Sequence, residues 1–529
     1  MTTGDGDCDG AAPAFTRAFV EGLRSSAAAR HGGASAVPDL PEYDYRDRAE
    51  LDSLIQLSRP QSFRLGTGAS IFTQALLPAV LSAKHEVVLV TCFWAKSRTL
   101  SSLGATLVEL ARRRQRAAAS SAGRGQGQGE GAPPLRVRIC LSSRSFFQRL
   151  FHPSSRDGYV YPPSAWPTQL GLPSRDVIEA GNIDLVVKSL FFLPFSVMHP
   201  KFLVVDRRRA FIPSCNVSWE SWLEGCLEIS SPPAGPDAVG GLLEFYRRTW
   251  EKGLCHAIPG VAASSASAAG DATGRTDEPS HVGVAAIVSP AQVTVSLSEL
   301  EPVTTVWLPS SHHCNPQFRP FPWQTAVSPP ATPLNVALLQ LLETAQRDVF
   351  IETPNLTAAP AITAILCALS RGVDVTIVTS RNMMLLEQLV TAGTTTTWCV
   401  WRLIARYQSL RACRPGNRER TALGPDEDLE AQHQAVAPGC LRISYFHPRE
   451  SGVAVADEEP VHSHLKLMIV DGQFTVLGSG NLDRASWYTS QELGVLLCGS
   501  AVAEKVRAAV DKVLLEARLD VIFDSTTCA

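Results

Sequence analysis

One signature occurs twice in this chain: His199-x-Lys201-x-x-x-x-Asp206 and His464-x-Lys466-x-x-x-x-Asp471. The likeness extends beyond those residues. Each His is followed by Ser at +15 (Ser214, Ser479), Asn at +17 (Asn216, Asn481) and Ser-Trp at +22 and +23 (Ser221-Trp222, Ser486-Trp487). A single short motif carries little weight, because composition alone produces one often enough. Two copies sharing four further offsets mark an internal duplication. Such a chain folds as two similar halves, and the repeated His, Lys, Asp, Ser and Asn are half of one candidate site.

The 529 residues leave room for about two to four domains. Hydrophobic residues make up 45% and charged residues 19%, enough for large cores. The net charge of −3 excludes the bulk basic field that drives non-specific nucleic-acid binding. Local clusters at Arg112–Arg116, Arg207–Arg209 and Arg411–Arg420 lack interleaved aromatics and are read as solvated charge. Thirteen Cys without a C-x-x-C pair, and an acidic start with no apolar segment behind it, favour a reduced intracellular compartment. The longest apolar candidate, Leu190–Met198, is under half the ~20 residues a membrane span needs. A soluble or peripherally membrane-associated protein is expected.

Periodicity places helices at Ile71–Ala83, Leu100–Arg114, Val336–Gln346 and Ala359–Ser370. Strands are expected at Glu86–Phe93, Leu135–Leu141, Asp348–Glu352 and Val373–Thr379, in the same order in both halves. The expected class is α/β: two duplicated α/β/α repeats with mixed, largely parallel sheets around one shared active site. Residues 1–60 read as a lead-in, 61–257 as the first repeat, 258–299 as a linker and 300–529 as the second repeat. A low-complexity loop at 117–134 reads as dispensable, and a polar insertion at about 411–440 as a lid or a mere insertion. Each motif should lie on a hairpin, with Lys201–Val205 and Lys466–Val470 answered by Phe211-Ile212 and Thr475–Leu477. Residues i and i+2 share a strand face, so each His sits beside its Lys.

This residue set suits attack on a phosphodiester. Lys supplies fixed charge, Asn and Ser supply neutral hydrogen-bonding groups, and His works as nucleophile or proton carrier near neutral pH. The candidate catalytic residues are His199, Lys201, Asp206, His464, Lys466 and Asp471; Ser214, Asn216, Ser479 and Asn481 are candidate substrate-binding residues. A strand-end Asp is more often a turn anchor than a catalytic group, so Asp206 and Asp471 also have an architectural reading. An orienting carboxylate is expected for each imidazole. Glu492, eleven residues after Asn481, fits; in the first half that offset falls on Leu227, and Glu228 is favoured over Glu224. Trp219, Trp222 and Trp487 are read as packing near the pocket rim, and Cys215 as a packed thiol. His462-Ser-His464 has no neighbouring ligand cluster, so no metal is assigned.

The paired motifs, with the Gly478-Ser479-x-Asn481 tail and the downstream Glu, resemble the phospholipase D superfamily over roughly 62–250 and 300–515. That group spans phospholipases D, bacterial-type cardiolipin synthases, phosphatidylserine synthases, a small bacterial endonuclease and tyrosyl-DNA phosphodiesterases. The resemblance implies a phosphohistidine intermediate, no metal or cofactor, and one site between two repeats, with His199 as nucleophile and His464 as general acid/base. It also implies a phospholipid substrate, hydrolysed or passed to another alcohol, peripheral membrane contact, and activity as a monomer. A nuclease or other nucleic-acid phosphodiesterase is the alternative, and would require a basic groove. The chain departs from the pattern at Pro213, where Gly is usual, and at Cys226 and Ser490, where Asn is frequent. Pro213 removes a main-chain donor at that turn.

Overall fold

The computed structural model describes residues 8–29, 43–122, 133–144, 158–192, 196–232, 235, 237–251, 292–311, 321, 328–412, 437–448, 459–514 and 518–527. Residues 258–291 of the expected linker at 258–299 and 413–436 of the expected insertion at 411–440 lie outside the described residues, while Val293–Ser296, expected in the linker, is a strand paired with Ile55–Thr67.

The two halves repeat one strand order. In the first, Ile183–Ser189, Leu135–Ser143 and Glu86–Phe93 run parallel as neighbours, and Phe202–Val205, Arg209–Pro213, Trp222–Ser230 and Ile55–Thr67 follow as antiparallel neighbours. In the second, Leu441–Phe446, Asp374–Thr379 and Asp348–Thr353 are parallel, then Leu467–Val470, Phe474–Gly478, Glu492–Cys498 and Val303–Ser310 antiparallel. The sheets are therefore mixed: parallel pairing joins the first three strands of each half, and the short strand His462–Ser463 pairs parallel with Trp222–Ser230 across the halves. The cause is connection length. Parallel neighbours need a crossover, as Ala359–Ser370 provides, whereas three-residue turns leave only antiparallel return.

Ile55–Thr67 joins the halves. Its start pairs with Val303–Ser310 and its remainder with Trp222–Ser230, so one sheet runs through both. Residues 55–60, expected in the lead-in, thus belong to this sheet, and Cys8–Ala29 forms a helix whose Phe15 and Phe19 are buried. The strands beneath the site, such as Leu135–Ser143 and Leu467–Val470, are buried at every position, as sheets covered on both faces require. The helix Arg98–Ala122 takes in residues 117–122, so the expected loop at 117–134 starts later, and 123–132 lie outside the described residues. Leu190, Phe191 and Met198 are buried, which turns the described part of that apolar segment toward protein.

Each motif Asp closes its hairpin. Asp206 and Asp471 adopt left-handed backbone at φ 51° and 52°. Asp206 accepts the backbone N–H groups of Lys84, His85 and Glu86, with 2.7 Å for His85. Asp471 accepts those of Gln346, Arg347 and Asp348, with 2.7 Å for Arg347. Both carboxylates are thereby fully engaged at the sheet end opposite the imidazoles.

Candidate active site

His199 and His464 lie in extended segments just before the strands Phe202–Val205 and Leu467–Val470, and each segment crosses to the other half. The His199 N–H donates to Gln491 O at 2.9 Å, and the His464 N–H donates to Leu223 O at 2.9 Å. The carboxylates follow the same exchange. His199 Nδ1 lies 2.8 Å from Glu492 Oε2, and His464 Nδ1 lies 2.8 Å from Glu224 Oε1. Each imidazole is therefore oriented by the opposite half. The serines sit where the repeat placed them: Ser214 Oγ donates to Glu224 and accepts Gly225 N–H at 2.9 Å. Ser479 Oγ donates to Glu492 and accepts Leu493 N–H at 3.0 Å.

Glu228 lies elsewhere. It takes Arg209 at 2.7 Å and the Ser62 hydroxyl at 3.0 Å, outside the imidazole pair. The second half carries a short helix, Arg484–Tyr488, between Asn481 and Glu492, where the first half runs directly into Trp222–Ser230. That insertion separates the two offsets: Glu224 follows Asn216 by eight residues, Glu492 follows Asn481 by eleven. It also splits the matched tryptophans. Trp222 begins a strand with its ring centroid 4.9 Å from His464, while Trp487 is buried in the helix. Trp219, 38% exposed and at φ 53°, stacks on Trp222 and on Phe93 at 4.8 Å and 4.9 Å, so an aromatic column runs from the surface to His464. Pro213 leaves the turn intact, because the next N–H, on Ser214, still reaches Gly225 O at 2.8 Å.

Lys201 and Lys466 are buried, and their ammonium groups donate to the carbonyls of His199 and His464 at 3.0 Å and 2.6 Å. Burial, resisted by Glu224, holds Lys466 down to about 7. Asn216 Oδ1 accepts the Phe93 N–H at 3.1 Å, and its buried Nδ2 has no partner among the described residues. Asn481 is held differently, donating to Asp483 at 2.9 Å. Ser486, matched by sequence but given no role there, accepts the Asn481 N–H and donates to Glu492 at 2.8 Å. Cys215 is buried, and burial raises its thiol well above the ordinary range. Among the described residues no group of three His, Cys, Asp or Glu side chains could hold a metal ion.

The two pairs differ electrostatically. Burial raises Glu224 to about 7, although Lys466 and Ser214 oppose the rise. Glu492 falls below the ordinary carboxylate range, because His199 and Ser479 outweigh its burial. Burial lowers His199, and burial with the two lysines takes His464 well below 6.5. The Glu224 carboxyl therefore keeps its proton to a higher pH than Glu492 does, so the two imidazoles face unlike carboxyl partners.

Residues 338–514 match a family described as "Cardiolipin synthase, PLD-like domain". Among solved structures, phosphatidylserine synthase of Haemophilus influenzae Rd KW20 is similar across 91% of this chain and 92% of that one, at 14% identity and TM-score 0.50. At that identity the likeness is one of fold. Nuc from Salmonella typhimurium, a phospholipase D family member, matches 36% of this chain and 90% of its own at 16% identity and TM-score 0.22. No curated protein matches the sequence.

Proposed function

We propose that this chain, whose residues 338–514 match a PLD-like domain family, is a phospholipase D-like enzyme that cleaves phospholipid headgroup phosphodiesters through a phosphohistidine on His199, passing the phosphatidyl group to water or another alcohol. The observation that carries this reading is the crossed pair of His–Glu contacts around two buried lysines. His199 Nε2 attacks phosphorus, and the bond to the leaving alcohol breaks as that oxygen takes the proton from His464 Nε2 while His464 Nδ1 takes the proton of the Glu224 carboxyl. The incoming water or alcohol then returns its proton to His464, and its oxygen displaces His199. Lys201, Lys466 and Asn216 Nδ2 face the charge that builds on the non-bridging oxygens. Glu492 holds the His199 tautomer and balances its charge once phosphorylated, while Ser214 and Ser479 fix the carboxylates.

The two buried lysines supply at the phosphate the fixed positive charge that a divalent cation would otherwise bring, so turnover should persist in EDTA. The test is incubation of pure protein, with and without EDTA, with labelled phosphatidylcholine, phosphatidylglycerol and single-stranded DNA. Release of headgroup, or of a phosphatidyl alcohol when glycerol is added, is the expected result. Cleavage of the DNA with neither lipid touched would replace this reading with a nuclease.

A further inference from the structure

A surface helix ordinarily turns its apolar side chains inward. Leu385–Ala392 does the reverse: Gln388 and Thr391 are buried, while Leu385, Leu386, Leu389 and Val390 face solvent, Leu386 at 76% exposure. The inward polar face is satisfied, since Gln388 Oε1 accepts from the Thr396 hydroxyl at 3.0 Å. The next helix, Thr396–Ala412, buries Cys399, Val400, Leu403 and Tyr407 yet leaves Trp398 and Trp401 exposed at 62% and 65%. Of twelve exposed large apolar side chains among the described residues, seven lie between Met384 and Trp401. A patch this dense marks an interaction surface.

We infer that this surface docks the protein on an anionic lipid bilayer. Residues 381–412 contain Arg381, Arg402, Arg406 and Arg411 against Glu387 alone, a local balance of +3 on a chain of net −3. Indoles and leucines beside arginines are the composition of helices that lie in a membrane interface. No helix of the described residues is long and apolar enough to cross one. A second copy fits poorly, because a two-fold contact would set the arginines against their own images. The patch is also tied to the site: Leu385–Ala392 packs on Arg484–Tyr488, and Thr396 Oγ1 accepts the Leu356 N–H at 3.0 Å, Leu356 being bridged to Leu482 beside Asn481. The inference rests on the proposed lipid chemistry only for what the docked protein acts upon.

The test is flotation of full-length protein with vesicles of phosphatidylglycerol and phosphatidylcholine in equal parts, or of phosphatidylcholine alone. Wild type should bind the anionic vesicles and lose binding as salt is raised. The Leu386→Ser/Trp398→Ser/Trp401→Ser variant, changed only at exposed positions, should bind at least tenfold more weakly. It should still hydrolyse bis(p-nitrophenyl) phosphate in solution at the wild-type rate. Equal vesicle binding by wild type and variant would overturn the docking surface, as would wild type that ignores both vesicles. A wild-type dimer in sedimentation that the variant dissolves would assign the face to a second copy instead. Vesicle binding without any phosphodiesterase activity would keep the surface and remove the catalytic reading.

Discussion

His199 and His464 are equivalent in sequence and unequal in surroundings, and the roles proposed for them rest on that inequality. Glu492 stays ionised beside His199, whereas burial lifts Glu224 to about 7 beside His464. If His199 attacks, His199→Ala forms no phosphoryl-enzyme, and His464→Ala still forms one with a p-nitrophenyl ester, whose leaving group needs no protonation, and then accumulates it. Trapping and mass spectrometry locate the adduct; one on His464 would reverse the roles. Glu224→Gln should slow turnover by about 10²–10⁴, while Glu228→Gln, which disturbs only the Arg209 and Ser62 contacts, should leave kcat/KM unchanged. The pH profile follows from the same groups. The proton on the Glu224 carboxyl and the charge on Lys466 are present below about 7 and lost above it, so kcat/KM falls as pH rises through 7. The acid limb, protonation of His199, lies below 6.5 because burial lowers that group. A profile still rising between pH 8 and 9 would contradict both assignments.

At the scale of elements, much of the fold was legible. Glu86–Phe93 and Ala359–Ser370 stand where periodicity placed them, since long buried strands and amphipathic helices carry their pattern locally. The motif hairpins were legible too, because an apolar run ending at Asp specifies a turn. The first-half carboxylate was not, since Glu224 rather than Glu228 meets an imidazole, and neither was the exchange of carboxylates between halves. Copying an offset from one repeat to the other fails where one inserts a helix, as Arg484–Tyr488 does, and no local pattern announces which half an imidazole will meet. The Gly478–Pro213 difference has a similar origin. Gly478 sits at φ 141°, where an added Cβ would come within 2.4 Å of Leu493 O, whereas the first repeat admits Pro at the matching place. The hairpin aspartates make a separable prediction. Asp471→Ala removes the side-chain acceptor of three backbone N–H groups and should destabilise the fold by about 1–3 kcal/mol. Thermal unfolding should register that loss while activity per folded molecule stays near wild type; a folded variant that is inactive would return Asp471 to the chemistry.

For the whole molecule, the crossing of contacts decides what the smallest working unit is. Neither half contains a complete imidazole pair: Glu492 serves His199, Glu224 serves His464, and the Gln491 and Leu223 carbonyls hold the two His segments in the same crossed sense. Ile55–Thr67 adds a mechanical tie, pairing with Val303–Ser310 and Trp222–Ser230 along one strand. A single chain then supplies both halves of the site, which is why activity as a monomer is expected. Cutting between 252 and 291 tests this. Fragments 1–251 and 292–529 should each fail to form the covalent adduct alone, because the first lacks the carboxylate that orients its nucleophile and the second lacks His199. Co-expressed, they should associate through the shared strand and recover adduct formation on the first fragment. Putting Glu492→Gln into the second fragment should then weaken labelling of His199 in the first, an effect carried only across the interface. Labelling of fragment 1–251 by itself at the intact rate would show that His199 works without Glu492 and that the crossed contacts are packing rather than chemistry.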